Sequence, residues 1–331
     1  MNLGLAIDTT FDDTSVAVLR GHRTLLSNLT ISQFENHADF GGVVPERASR
    51  KHLEVIHPLV RRAMDDAGAT FDELDWIAVS NLPGLMGAVL VGLTVAKAMS
   101  FALGASLVAV NHIESHPYAC LLDRDDFDFP VIHLVIAGGH TLLIHQTEHF
   151  QWSIVGRTRD DAAGECADKV ARMYGLPMPG GKYVDALAAS AQPGAYAFPR
   201  PMLREKSFDF SFSGLKTALL RQKEKDGIPE NLGPLMAAFL GSIKEVLVHK
   251  TLRAAEEFDA RMITVSGGLA ASSVLRQAFT AAAAKAGIPL ALPSPAFCTD
   301  NAAMVAVLAA RMHAAGQTAS PDVSAFPNLL S

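Results

Sequence analysis

A pair of apolar runs joined by a polar turn occurs twice in this chain, once at the N-terminus and once near its middle. In the first copy, Leu3 to Ile7 and Thr14 to Leu19 flank Asp8-Thr9-Thr10-Phe11-Asp12-Asp13. In the second, Val131 to Ile136 and Leu142 to His145 flank Ala137-Gly138-Gly139-His140-Thr141. Each reads as a hairpin, and two such hairpins imply an internal duplication. Further strands are predicted near 75–80, 107–110 and 262–266. Helices are predicted over Glu46 to Ala67, Leu85 to Leu103, Asp160 to Tyr174, Leu232 to Phe258 and Asn301 to Ala315. Met262 to Val265 runs through Ser266-Gly267-Gly268 into the Ala-rich stretch Val274 to Ala284, a junction that lets backbone approach a nucleotide but also occurs without one. This alternation predicts a duplicated α/β protein of two lobes. The clearest loops are Pro177 to Gly181 and Ala191 to Pro201.

Composition sets the outer limits. The chain has 331 residues, of which 49% are hydrophobic and 19% charged, and this excludes wholesale disorder. Its 28 Lys and Arg against 34 Asp and Glu give a net charge of -6, so it is no basic nucleic-acid coat. Cys120, Cys166 and Cys298 are too scattered for a disulfide framework. The stretch before Arg20 has no basic residue and holds Asp8, Asp12 and Asp13, unlike a signal peptide. A cytoplasmic protein with no membrane partner is expected. The apolar stretch from Gly84 to Val110 carries Lys97 and four glycines, and reads as a buried helix followed by a core strand.

His112-Ile113-Glu114-Ser115-His116 is the most informative pentapeptide. Histidines four apart on a helix share one face and can bind one metal, although the same spacing suits two capping histidines. Glu114 falls on the far side, so this is not the zincin arrangement. Asp300 is the expected third ligand, and two imidazoles with one carboxylate suit iron(II) or zinc. Asp8 to Thr14 has the composition of a phosphate or cation clasp, or of a turn that satisfies its own backbone. Asp168 can accept ribose hydroxyls from a helix that begins at Asp160. From Arg200 to Lys225, seven basic residues face three acidic ones, a candidate phosphate-backbone surface or a solvated face. Phe208, Phe210 and Phe212 read as a strand face in the core.

These segments, with Gly41 to Glu46, Pro83 to Gly87, Asp160 to Glu165, Ser211-Phe212-Ser213-Gly214-Leu215-Lys216-Thr217-Ala218 and Cys298 to Met304, resemble the TsaD family in order and over nearly the whole chain. The resemblance implies an actin-like ATPase fold (ASKHA) of two duplicated lobes, each a mixed sheet flanked by helices, with the active site in the cleft. The first lobe is expected over 1–128 with the helix 301–316 packed back on it, the second over 129–300, and an irregular, partly mobile tail over 317–331. The implied activity is transfer of threonylcarbamoyl from threonylcarbamoyl-AMP to the exocyclic amine of the adenosine beside the anticodon, in tRNAs reading ANN codons, with release of AMP. TsaB and TsaE are the implied partners.

By the same resemblance, His112, His116 and Asp300 hold one divalent ion, iron(II) first and zinc second. Val135, Ile136, Ala137, Gly138, Gly139, Asp168, Gly181, Asp185 and Ser272 correspond to contacts with the adenylate. Asp12 is the expected acceptor of the amine proton. The sequence departs from the family pattern at Asp8, Phe11, Asp13, Leu82, Ala137, Lys182 and Ser272. Ser272 has the largest chemical consequence, because a hydroxyl cannot reproduce the paired donor and acceptor of the usual asparagine. A kinase or ATP-binding protein of the same superfamily is the alternative. A metalloprotease is disfavoured by the position of Glu114.

Overall fold

The computed structural model describes residues 2–33, 43–192, 194 and 196–328. Gly41 and Gly42 lie outside the described residues. The chain separates into two compact units, one joining residues up to Asp125 with those from Asp300 onward, the other spanning Asp126–Thr299.

In unit 1, β1 (Leu3–Asp8), β2 (Asp13–Arg20) and β3 (Thr24–Ser32) form an antiparallel meander, and β4 (Trp76–Leu82) and β5 (Ser106–Asn111) add in parallel on the other side of β1. The resulting order is β3-β2-β1-β4-β5. The connections to the parallel strands are α1 (Pro45–Ala67) and α2 (Met86–Leu103). Proline at the first turn of α1 needs no amide partner there. β5 passes directly into the short helix α3 (His112–Tyr118). A further helix of unit 1, Ala302–Ala314, packs on β1, β2 and α3, with its residues up to Ala310 buried.

Unit 2 repeats the topology. β6 (Val131–Ala137), β7 (His140–Glu148) and β8 (Gln151–Arg157) form the meander, and β9 (Met262–Ser266) and β10 (Leu290–Ala291) extend the sheet in parallel beside β6, giving β10-β9-β6-β7-β8. Its helices are α4 (Ala163–Met173), α5 (Gly180–Ala189), α6 (Ser213–Asp226), α7 (Gly233–Glu257) and α8 (Ser273–Ala286). Strand for strand, the two sheets have the same connectivity, which accounts for the two polar-tipped hairpins in the sequence.

Several local expectations need correction. The helix predicted from Asp160 begins at Ala163, because Asp160 is engaged outside it: its carboxylate accepts the Ser213 hydroxyl at 2.7 Å and the Phe212 amide at 2.8 Å. Pro177 to Gly181 is not wholly a loop, since Gly180 and Gly181 open α5. Phe208, Phe210 and Phe212 are core residues as expected, but only an isolated bridge between Thr158 and Phe210 is strand-like there. The helix α2 is buried along one side only: Val89 and Leu93 are enclosed, whereas Phe101 is 92% exposed. By length and composition α2 is apolar enough to cross a membrane. Three of the seven basic residues between Arg200 and Lys225 are engaged internally. Arg200 pairs with Glu245 at 2.8 Å, Lys216 with Asp161 at 3.1 Å, and Lys223 donates to the Met173 carbonyl. The segment after Gly316 has no helix or strand among the described residues, yet it is hydrogen-bonded to unit 1 at several points.

Candidate functional site

In unit 1 the site grows from the junction of β5 and α3. The side chain of Asn111 caps α3 by accepting the amides of Ile113 at 3.0 Å and Glu114 at 3.3 Å, so the helix starts at His112 and puts His112 and His116 one turn apart. Both imidazoles are buried. Asp300 comes from the residue before Asn301, whose side chain caps the helix Ala302–Ala314 through the Met304 amide at 3.1 Å. His112 Nε2 lies 3.6 Å from Asp300 Oδ2, and His116 Nε2 lies 3.5 Å from Asp300 Oδ1. One ligand atom from each residue falls within 4.8 Å of the others. Glu114 is not part of this trio.

The donor set fits a divalent cation. Ligands bonded at about 2.0–2.1 Å to one tetrahedral ion stand about 3.4 Å apart, close to the separations found here. Two imidazole nitrogens and one carboxylate suit zinc or iron(II). Behind the trio, Nδ1 of His112 faces Asp8 Oδ2 at 3.0 Å and the Thr10 hydroxyl at 3.1 Å, which directs Nε2 toward Asp300. Burial works against charge on His112, but Asp8 and Asp300 outweigh it and push its pKa up to about 10. The same two carboxylates favour a cation at this position.

Asp12 lies in the turn between β1 and β2 and is half-buried. Its neighbour Asp13, the first residue of β2, is a second half-buried carboxyl. Burial, reinforced by the charges of Asp12, Asp300 and Asp8 and opposed by a hydrogen bond from Ser32, raises Asp13 to about 7. A carboxyl that exchanges a proton near neutrality is suited to acid–base work. Asp8 and Thr10, expected as part of a phosphate or cation clasp or of a turn that satisfies its own backbone, both face Nδ1 of His112.

Unit 2 gathers the other predicted residues. Val135, Ile136 and Ala137 end β6, and Gly138-Gly139 turn into β7. Gly267, at φ +93°, follows β9, and a Cβ there would stand 2.4 Å from the Ile136 carbonyl oxygen, so only glycine fits this approach. Asp168 on α4 accepts the Gly181 amide at 3.0 Å at the start of α5. Burial raises the Asp168 pKa, with the amides of Gly181 and Gly180 opposing it. Ser272 caps α8 by accepting the Leu275 amide at 3.2 Å, and its hydroxyl donates to Asp185. Asp185 also accepts the Ser273 amide at 2.9 Å and the Val274 amide at 3.2 Å. A glycine turn and the N-termini of α5 and α8 are groups of the kind that hold nucleotide oxygens.

A family model described as TsaD, tRNA N6-adenosine threonylcarbamoyltransferase, matches residues 24–307. Curated proteins bearing the description tRNA N6-adenosine threonylcarbamoyltransferase include one from Geobacter sulfurreducens, 48% identical over 307 residues, covering 92% of this chain and 90% of the relative. Another, from Staphylococcus carnosus, is 44% identical and covers 98% of this chain and 95% of its own length. Among solved structures, HypF from T. kodakarensis matches with a TM-score of 0.62 at 12% identity, covering 95% of this chain and 48% of that one. Component A of (R)-2-hydroxyglutaryl-CoA dehydratase from Acidaminococcus fermentans matches with a TM-score of 0.57 at 13% identity, covering 95% of this chain and all of that one. At such identities these two matches speak for the fold alone, which is the duplicated actin-like ATPase fold.

Proposed function

The chain belongs to the TsaD family of tRNA N6-adenosine threonylcarbamoyltransferases, and from this we propose how its residues carry the reaction. It is a transferase that places a threonylcarbamoyl group on N6 of an adenosine in tRNA. The observation that carries this is the alignment of nearly the whole chain with curated members at 44–48% identity.

The proposed donor is threonylcarbamoyl-AMP, a mixed anhydride that is already activated. The adenosine amine attacks the carbamoyl carbon, a new N–C bond forms, the bond from that carbon to the phosphate oxygen breaks, and AMP leaves. The chain must orient the amine, favour the developing oxyanion and accept one proton. In this reading Val135 to Gly139, Asp168, Gly181, Asp185 and Ser272 hold the AMP portion. Because Ser272 and the Asp185 carboxylate are already bonded to each other and to the start of α8, they act mainly by fixing that end of the cradle. Asp12 accepts the amine proton, and Asp13 stands next to it at the start of β2. A divalent ion held by His112, His116 and Asp300, iron(II) or zinc, would supply Lewis-acid neutralisation of negative charge on the donor.

The acceptor is the adenosine beside the anticodon in tRNAs reading ANN codons, and the protein works in the cytoplasm with TsaB and TsaE. The donor assignment is tested by mixing synthetic threonylcarbamoyl-AMP, tRNA and the three proteins, then measuring AMP release against modified nucleoside. Equal amounts of the two products support it. AMP release without nucleoside modification in the complete mixture would contradict it. An Asp12→Ala chain that kept full transfer would remove the proton-accepting role.

A further inference from the structure

The segment that follows the helix Ala302–Ala314 is rich in small and polar residues, a composition that ordinarily frays. Here it is fastened. The Ala319 amide donates to the Leu107 carbonyl at 2.7 Å, Lys97 Nζ donates to the Val323 carbonyl at 2.5 Å, and Ala325 joins the apolar core of unit 1. Its firmest hold is on one buried residue. Asn81 Nδ2 donates to the Ser324 carbonyl at 3.0 Å, and the Asn81 carbonyl accepts the Phe326 amide at 2.9 Å. One step further, the Gly84 amide donates to the Pro327 carbonyl at 3.3 Å.

The segment gripped in this way, the end of β4 and the turn after it from Asn81 to Leu85, presses on Thr10 from its other end. The Leu85 amide donates to the Thr10 carbonyl at 2.8 Å, and Gly84 approaches so closely that a Cβ there would meet the same oxygen at 2.5 Å. The hydroxyl of Thr10 is 3.1 Å from Nδ1 of His112, on the side of the imidazole away from Asp300. A continuous path of hydrogen bonds and close backbone packing therefore leads from the end of the chain to a ligand of the metal trio.

We infer that residues 319–327 form a strap that positions the metal centre, holding the segment Asn81–Leu85 against Thr10 and thereby the His112 imidazole in its orientation. The inference rests on the metal reading of His112, His116 and Asp300. Groups that orient a metal-ligating histidine typically govern affinity by about 10- to 100-fold, and an element acting through an intervening segment belongs at the lower end. Residues 319–327 are thus positioning residues, and their signature is metal affinity, separable from the stability of the metal-free fold.

The test uses metal-free protein, zinc and a competing chromophoric chelator, with thermal unfolding of the same metal-free samples. The proteins are the intact chain, a chain ending at Gln317, intact Asn81→Ala, and Thr10→Val in both the intact and the shortened chain. The shortened chain and Asn81→Ala are expected to bind zinc about tenfold more weakly, and Thr10→Val is expected to add little once the strap is gone. If the shortened chain does not unfold cooperatively, intact Asn81→Ala decides. Unchanged zinc affinity in a folded strap variant overturns the inference, as does full additivity of Thr10→Val with shortening. An intact chain that binds no zinc instead overturns the metal reading beneath it, an outcome distinct from failure of the strap.

Discussion

Oδ2 of Asp8 stands 3.0 Å from Nδ1 of His112, and the two side chains are only 3% and 1% exposed. A carboxylate withdrawn from water at this distance holds the imidazole so that its other nitrogen faces Asp300. Replacing Asp8 by asparagine keeps an acceptor but removes the charge. Zinc affinity of Asp8→Asn, measured by chelator competition, should fall about tenfold, with Asp8→Ala falling further. Unchanged affinity in both would mean that Asp8 has no part in orienting the ligand.

Removing a member of the trio should be more severe. His116→Ala or Asp300→Ala leaves two donors, too few to close a structural or catalytic site. Elemental analysis after dialysis should then find one metal ion per intact chain and close to none in either variant. Chelator treatment of the intact chain should abolish transfer, and added metal should restore it. A variant retaining stoichiometric metal would place the ion elsewhere.

The histidine at the centre of the second sheet predicts a pH dependence of stability. His133 Nε2 donates to the Gln146 side-chain oxygen at 2.7 Å, and Nδ1 pairs with the Thr264 hydroxyl at 2.7 Å, accepting from it when the ring is neutral. Burial, with help from His145 and His149 and against the Gln146 hydrogen bond, depresses its pKa from 6.5 to about 4. Between these values the unfolded chain takes up a proton that the folded chain refuses. Stability should decline as pH falls from 6.5 toward 4, and His133→Gln should flatten the decline even if it lowers stability overall. Urea midpoints across that range decide the matter; an unaltered slope in the variant would assign it to other groups.

Gly267 and Gly139 make a matched pair. Alanine at Gly267 must adopt φ +93° and collide with the Ile136 carbonyl, so Gly267→Ala should lose at least about 2 kcal/mol of stability. Alanine at Gly139 meets open space and needs no unusual φ, so Gly139→Ala should change stability by no more than about 0.5 kcal/mol. Denaturant unfolding of both proteins distinguishes a close backbone approach from a merely flexible turn.

The elements most legible in the sequence were those whose chemistry is local. The β-branched strand before Ser266-Gly267-Gly268, the two hairpins and the one-turn spacing of His112 and His116 declare themselves within a few residues. What stayed hidden depends on distant partners. Gly180 looked like loop punctuation because nothing nearby shows that a Cβ there would strike the Ala171 side chain on a neighbouring helix. The charges of Arg200 and Lys216 looked available for phosphates because Glu245 and Asp161 are remote in the chain. Asp8 was visible as one acid in a polar turn, but its distance to His112, 104 residues away, exists only after folding. The edge strand β3 escaped notice because its residues are mostly half-exposed and mixed in polarity.

If the trio of unit 1 holds a metal that transfer requires, loss of Asp300 must abolish modification of tRNA. The most direct measurement is nucleoside mass spectrometry of tRNA after incubation with the adenylate donor, TsaB and TsaE, comparing the intact chain with Asp300→Ala. Threonylcarbamoyladenosine should accumulate with the intact chain and fall to background with Asp300→Ala. Accumulation at the same rate with both would contradict the role of the metal trio, and no product from the intact chain where another TsaD family member yields it would contradict the activity itself.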